Sequence, residues 1–162
     1  MNLAPTDQLE IVRLRPDLEG PLTEFFEDLA ESGEAARFHP HPFTAEAARE
    51  RANFAGRDVY CVATAGGRIL GYGMLRGWDE GYDVPSLGIA VRAEAQGSGL
   101  GRLVMSYLHT EARRRSAPRI RLKVYPDNVR AVELYRSLGY EYRQELESGQ
   151  LVGYKELRSR SR

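Results

Sequence analysis

The sequence predicts an α+β (mixed α/β) fold: a central, mostly antiparallel sheet of six to seven strands with helices on both faces. Three observations predict it. Apolar spacing switches between strand and helix periods in the order β, α, α, β, β, β, α, β, α, β, β. Turn residues such as Gly66-Gly67 and Ser148-Gly149 join neighbouring strands into hairpins, which excludes a purely doubly wound parallel sheet. A single strand–helix–strand crossover, Leu87 to Val124, makes its two strands the one parallel pair.

Ile11, Val12 and Leu14 form the opening strand, closed by Pro16. Gly20-Pro21 starts a helix, because proline fits the first helical position, and Gly33 ends it. Its Leu22, Phe25, Phe26, Leu29 and Ala30 fall at helical spacing. After a histidine–proline loop from Phe38 to Phe43, Thr44 is a good N-cap for a helix from Ala45 to Ala55, with Gly56 as its stop. Asp58 to Ala63 and Ile69 to Leu75 read as a hairpin. A loop from Gly77 to Pro85 carries Trp78, Asp79, Glu80 and Asp83, and Leu87 to Val91 is a short apolar strand. The helix after the glycine-rich Gln96 to Gly101 shows Leu103, Val104, Tyr107, Leu108 and Ala112 on one face, leaving His109 partly exposed. Arg113, Arg114 and Arg115 suit the negative end of its dipole. Arg119 to Tyr125 alternates as a strand and Pro126 stops it. Asn128 to Leu138 is a helix with Ala131, Leu134, Tyr135 and Leu138 inward, capped by Gly139. Tyr140 to Leu146 and Leu151 to Leu157 close as a hairpin.

A chain of 162 residues fits a single domain, here 1–157, with a basic tail at 158–162. Five residues supply few phosphate contacts, so the tail reads as a solvated, disordered terminus rather than a nucleic-acid arm. Twenty-three basic residues balance twenty-three acidic ones. That balance leaves no global field for nucleic acid or an anionic membrane, so an anion site must be local. A single cysteine, Cys61, excludes a disulfide framework and a clustered cysteine metal site, and its strand position marks it as a buried apolar residue. No segment reads as a signal peptide or approaches the ~18 apolar residues of a membrane helix. The expectation is a cytoplasmic protein without metal.

Gly97, Gly99 and Gly101 alternate between a strand and a helix. Glycine lets the backbone turn its amides inward, and a helix N-terminus adds partial positive charge; together they make a cradle for a pyrophosphate. The spacing is not a dinucleotide fingerprint, since Arg102 stands where G-x-G-x-x-G needs its last glycine. Nor is it a triphosphate loop, since Gly101 precedes Arg102-Leu103 rather than Lys-Ser/Thr.

Gln96-Gly97-Ser98-Gly99-Leu100-Gly101 resembles the Q/R-x-x-G-x-G/A coenzyme A loop of the GNAT superfamily of N-acetyltransferases. Asn128-Val129-Arg130-Ala131-Val132-Glu133-Leu134-Tyr135, followed by Leu138-Gly139-Tyr140, is similar to that family's N-x-x-A-x-x-L-Y…G-F/Y segment. The two motifs are independent, and the element order from Ile11 to Leu157 fits as well. The resemblance implies direct transfer from acetyl-CoA, the co-substrate, to an amine of a small molecule, amino sugar or protein N-terminus. It implies that Gln96, Gly97, Ser98, Gly99, Leu100 and Gly101 hold the pyrophosphate, with Arg102 an added contact. Ile89, Ala90 and Val91 would pair with the pantetheine in the gap between splayed parallel strands, and Asn128, with Ala131 on the same helix, would reach it. The family's terminal hairpin often supports a homodimer. An acyl-CoA-binding sensor on the same scaffold is the competing reading.

Tyr135 is the candidate general acid, because a phenol of pKa about 10 is protonated at neutral pH and can donate to the departing thiolate. Many relatives place a glutamate base on the strand before the loop, but Pro85-Ser86-Leu87-Gly88-Ile89-Ala90-Val91 has no acid. An α-amine of pKa near 7.8 costs only about 1 kcal/mol to deprotonate at pH 7, against 4–5 for a lysine-like amine, so the missing acid leans toward a less basic acceptor. His39 and His41 are candidates for the base or an acceptor contact. Asp79, Glu80 and Asp83 form an acidic loop able to attract a cationic amine.

Overall fold

The computed structural model describes residues 7–38 and 40–157. His39 and the tail at 158–162 lie outside the described residues. Seven strands form one sheet in the order β1-β2-β3-β4-β5-β7-β6, where β1 is Glu10–Arg13, β2 Val59–Ala65, β3 Arg68–Arg76, β4 Ser86–Val91, β5 Arg119–Val124, β6 Glu141–Tyr142 and β7 Leu151–Glu156. Every pairing is antiparallel except β4 with β5. Four α-helices accompany it: α1 Glu19–Ser32, α2 Ala45–Ala52, α3 Leu100–Arg114 and α4 Val129–Ser137.

The two sheet faces bury different sets. On one face α1 and α2 lay Leu22, Phe25, Phe26, Leu29 and Ala48 against Tyr60, Val62, Tyr72 and Met74 of β2 and β3. On the other, Val104, Met105 and Leu108 of α3 and Val132 and Tyr135 of α4 pack on Cys61, Leu75, Ile120, Leu122 and Val124. Close approach of α3 requires Gly73, where an added Cβ would lie 2.8 Å from Val104 Cγ1. Arg92, just beyond β4, fastens α1 to the sheet. Its Nε donates to Ile69 O at 3.0 Å and its guanidinium pairs with Asp28, so a nearly buried charge is matched.

Several boundaries differ from expectation. The Thr44 cap forms, accepting from Ala47 N–H at 3.1 Å, but α2 stops at Ala52, because the Asn53 amide donates to Arg49 O at 2.8 Å and closes the last turn. On α3 the buried face is Leu100, Val104, Met105, Leu108, His109 and Ala112. Leu103 is exposed and His109 is buried, because the stripe runs through Leu100 rather than Leu103. His109 Nε2 has a buried partner in Tyr140 Oη at 2.8 Å. The first strand of the last hairpin shrinks to Glu141–Tyr142; beyond it Arg143 N–H still donates to Val152 O at 2.9 Å, and Glu147 and Gln150 pair across the Ser148-Gly149 turn.

Candidate active site

The parallel pair parts almost where it begins. Ser86 and Arg121 are the only β4–β5 partners in register among the described residues, and Arg121 N–H donates to Pro85 O at 3.0 Å. Beyond this point Gly88 to Val91 still pair with β3, while their other edge faces a gap. A cleft of about 1400 Å³ opens there, reached by β4 from Ser86 to Val91, β5 from Arg119 to Val124, the glycine loop and the first turns of α4. A strand with one unpaired edge offers backbone donors and acceptors to an extended ligand.

At one end of the cleft the chain leaves β4 through a short turn, Ala93–Ala95, and reaches Gly97 and Gly99 with φ of 79° and 90°. These left-handed values favour glycine and swing the loop into the start of α3. The first α-helical bond is from Leu103 N–H to Gly99 O at 3.1 Å, so the amides of the preceding turn are left for a ligand. Gln96 Nε2 braces the loop on Val91 O at 3.2 Å and Ser98 Oγ on Ala95 O at 2.5 Å. Two guanidiniums flank it. Arg102 donates to Ser137 Oγ at 3.0 Å, and Arg130 lies across Gly97, with Nη2 2.9 Å from where a Cβ would stand. Arg130 was not singled out by sequence reasoning, because the first turns of α3 and α4 meet only in space. The pocket thus offers amides and cations to a diphosphate, and a free strand edge to an amide-bearing arm. Both fit coenzyme A.

A family model for the acetyltransferase (GNAT) family matches residues 22–140. The chain belongs to the GNAT family. Solved structures share the fold. The GNAT domain of PAT from S. lividans superposes with a TM-score of 0.78 at 17% identity, covering 97% of this chain and all of that one. The ribosomal-protein-S18-alanine N-acetyltransferase of Escherichia coli gives 0.71 at 20%, covering 95% and 97%. The PaiA N-acetyltransferase of Thermoplasma acidophilum, in complex with coenzyme A, gives 0.73 at 14%, covering 92% and 99%. Among curated protein sequences none matches this GNAT chain significantly.

Within this GNAT fold, Ile89, Ala90, Val91, Gln96, Gly97, Gly99, Gly101, Arg102, Asn128, Ala131 and Tyr135 all reach the cleft; Ser98 and Leu100 lie in the same loop and first helical turn. Asn128 stands at the N-cap of α4, yet its side chain does not cap the helix. Tyr135 is 9% exposed, and burial pushes its hydroxyl far above tyrosine's ordinary value. Its ring rests on Tyr140 at 6.0 Å between centroids, and Tyr140 is in turn fixed by His109.

His41 is not among the cleft-lining groups. Its ring packs 5.2 Å from Phe26 and 5.3 Å from Phe43 inside the α1–α2 layer. Desolvation lowers its pKa to about 4, so it is neutral near pH 7. Nδ1–H then donates to Pro42 O at 2.8 Å while Nε2 accepts from Tyr72 Oη at 3.0 Å, a tautomer assigned from these partners. With both nitrogens engaged, His41 fits a packing role better than a base. Its loop touches the cleft instead through Phe38 and Pro40. Asp79 also turns away, accepting from the amides of Arg57 at 2.8 Å and Asp58 at 3.0 Å, while Glu80, Tyr82 and Asp83 border the cleft. Cys61 is fully buried, with its thiol pushed up to about 12 by desolvation. Among the described residues no cluster of three His, Cys, Asp or Glu could hold a metal, and no helix is long and apolar enough to cross a membrane.

Proposed function

We propose that the protein transfers an acetyl group directly from acetyl-CoA, within a ternary complex, to a primary amine of a small molecule, amino sugar or protein N-terminus in the cytoplasm. The observation that carries this reading is the β4–β5 gap opening beside the glycine loop into one cleft of about 1400 Å³. A GNAT relative of the same fold is named as an N-acetyltransferase of a ribosomal-protein alanine.

Acetyl-CoA supplies the acyl group as a thioester. The amides from Gln96 to Gly101, with Arg102 and Arg130 beside them, would hold the pyrophosphate, and Ile89 to Val91 and Asn128 would align the pantetheine. Transfer forms a carbon–nitrogen bond and breaks the carbon–sulfur bond; it requires one proton to leave the ammonium so that it becomes nucleophilic and one to reach sulfur, and the proton nitrogen sheds as the amide forms restores the donor. Tyr135 supplies the second: its raised pKa keeps it protonated throughout the physiological range. The first proton needs no strand acid when the amine's pKa is near 7.8, since water then accepts it at a cost of about 1 kcal/mol.

The test is calorimetric titration with acetyl-CoA, followed by acetyl-CoA-dependent thiol release across a panel of amines. Micromolar binding with thiol release from part of the panel is expected. Binding without release from any amine would favour a sensor, and absence of binding would overturn the reading.

A further inference from the structure

Away from the glycine loop, the cleft extends over a part of the sheet that no helix covers. β5 alternates: Ile120, Leu122 and Val124 face α3 and α4, so Arg119, Arg121 and Lys123 face the α1–α2 side. Helices α1 and α2 pack over β2 and β3 and stop short of β5. The exposed strip on β5 therefore carries three cations in a row. β7 continues it, setting Glu156, Tyr154 and Val152 opposite them. Arg119 and Arg143 lie over the Tyr154 ring at 4.9 and 4.5 Å, and Arg121 Nε donates to its hydroxyl at 3.3 Å.

This cationic group already holds one carboxylate. Glu147, at the tip of the β6–β7 hairpin, places Oε2 2.5 Å from Arg121 Nη2 and Oε1 2.7 Å from Lys123 Nζ. The Lys123 hydrogen bond and the Arg121 charge hold its carboxyl below the usual glutamate value. Glu147 is half exposed and flanks the two-residue turn Ser148-Gly149, where φ is 52° and 79°. Arg119 is matched by Glu156 at 3.7 Å. Four cations thus meet two acids in a chain whose formal net charge is zero, so positive charge is concentrated here. The cleft's acids, Glu34, Glu80, Asp83 and Asp127, come from other segments, the α1–α2, β3–β4 and β5–α4 loops, and Asp127 is paired with Arg37 at 3.7 Å.

Resting on the acetyl-transfer reading, we propose that the acceptor is an amine bearing its own acidic group, a carboxylate or phosphate, and that Arg121 and Lys123 receive that group in the place Glu147 now holds. A guanidinium and an ammonium converging on one carboxylate form charge-assisted bonds, the strong class, and an uncharged isostere cannot take them over from Glu147. Glu147 keeps the pair aligned and partly neutral until the acceptor arrives.

The experiment compares matched α-amines, amidated Gly-Asp with amidated Gly-Asn and amidated Gly-phosphoserine with amidated Gly-Ser, by thiol release and by calorimetry on protein saturated with coenzyme A. The acidic members are expected to win by about tenfold or more. R121Q/K123Q should reduce that preference to about twofold or less, and E147Q should lower KM for the acidic members several-fold, on the order of one lost competing charge-assisted bond. Circular dichroism and acetyl-CoA affinity establish that the variants are folded. Equal use of both members, or a preference that survives R121Q/K123Q, would overturn the inference. Should no amine release thiol, the transferase reading fails, and the binding titrations still decide this one. Tighter binding of the acidic members that R121Q/K123Q abolishes supports it, and indifference sinks it. Phosphate against carboxylate separates the two sources of the charge.

Discussion

The two ends of the cleft are built from different material. The coenzyme end is made largely of backbone: two glycines in left-handed geometry, the amides at the start of α3 and the free edge of β4. The end proposed for the acceptor is made of side chains from distant segments, with Arg121 and Lys123 from β5, Phe38 from the α1–α2 loop and Tyr82 from the β3–β4 loop, and Glu147 of the last hairpin bridges the two cations. A backbone site needs particular residues at fixed spacing, because only some sequences permit its dihedrals. A side-chain site needs only that the fold bring suitable groups together. The first can stay constant while the second varies, as one expects of a scaffold that takes one donor and many acceptors.

Tyr135, the proposed general acid in the cleft, gives the largest expected effect. Tyr135→Phe removes a hydroxyl and little volume, so acetyl-CoA affinity and Tm should stay close to wild type. Turnover at saturating substrates should fall by about 10² or more, the usual worth of a positioned general acid. Steady-state kinetics on both substrates checks it, and unchanged turnover would reduce Tyr135 to packing against Tyr140.

Gly99→Glu should damage only the coenzyme end. No atom lies within 4 Å of the new Cβ, so there is no clash. The cost is a side chain at φ 90°, about 1–2 kcal/mol, plus a carboxylate among amides meant for phosphate. Acetyl-CoA affinity should fall by about 100-fold by calorimetry, since one misplaced like charge opposes each phosphate contact. Acidic residues suit a helix N-terminus, so Tm should move little.

Gly88→Ala probes the other end. Its Cβ would stand 2.7 Å from Phe38 Cε2 and 3.0 Å from Met74 Cγ. Phe38 sits on a loop and gives way, so the acceptor wall shifts while the glycine loop does not. KM for the amine should rise by about 3–10-fold with acetyl-CoA affinity unchanged. A loss of acetyl-CoA affinity in this variant would mean that the two ends are not separate.

The same contrast decides what could be read from the sequence. The alternating β5, the Thr44 cap, the Gly66-Gly67 turn and the crossover through α3 were legible, because each is a local rule written in adjacent residues. The glycine loop and the Asn128-to-Tyr135 helix were legible as motifs for the same reason. Arg130 was not, since nothing in Asn128-Val129-Arg130-Ala131 says that α4 starts against Gly97. The Glu147 bridge to Arg121 and Lys123 spans a hairpin whose first strand is only two residues long, and no periodicity announces it. His41 is the opposite case. A titratable residue in a polar-looking loop suggests a site, but its ring turns inward among Phe26, Phe43 and Tyr72.

The two described histidines give the smallest and most widely spread effect, one behind each end of the cleft. His41 lies under the acceptor loop and His109 behind Tyr140, and desolvation lowers both from 6.5 to about 4. Both are neutral in the fold down to that value, whereas the unfolded chain takes up their protons near pH 6.5. Between these values the unfolded state binds more protons, so stability is full above about pH 6.5 and falls as pH drops toward 4. The loss should be on the order of 1–2 kcal/mol per histidine, after discounting for solvent at their rings. Asp79 and Glu147, with lowered carboxyls, act in the same direction only below their unfolded values of 3.8 and 4.5. Urea midpoints at pH 7 and pH 5 therefore isolate the imidazoles. His41→Asn and His109→Gln should each remove about half of the difference, and a midpoint that is flat from pH 7 to pH 5 would show that both rings can be protonated without leaving the fold.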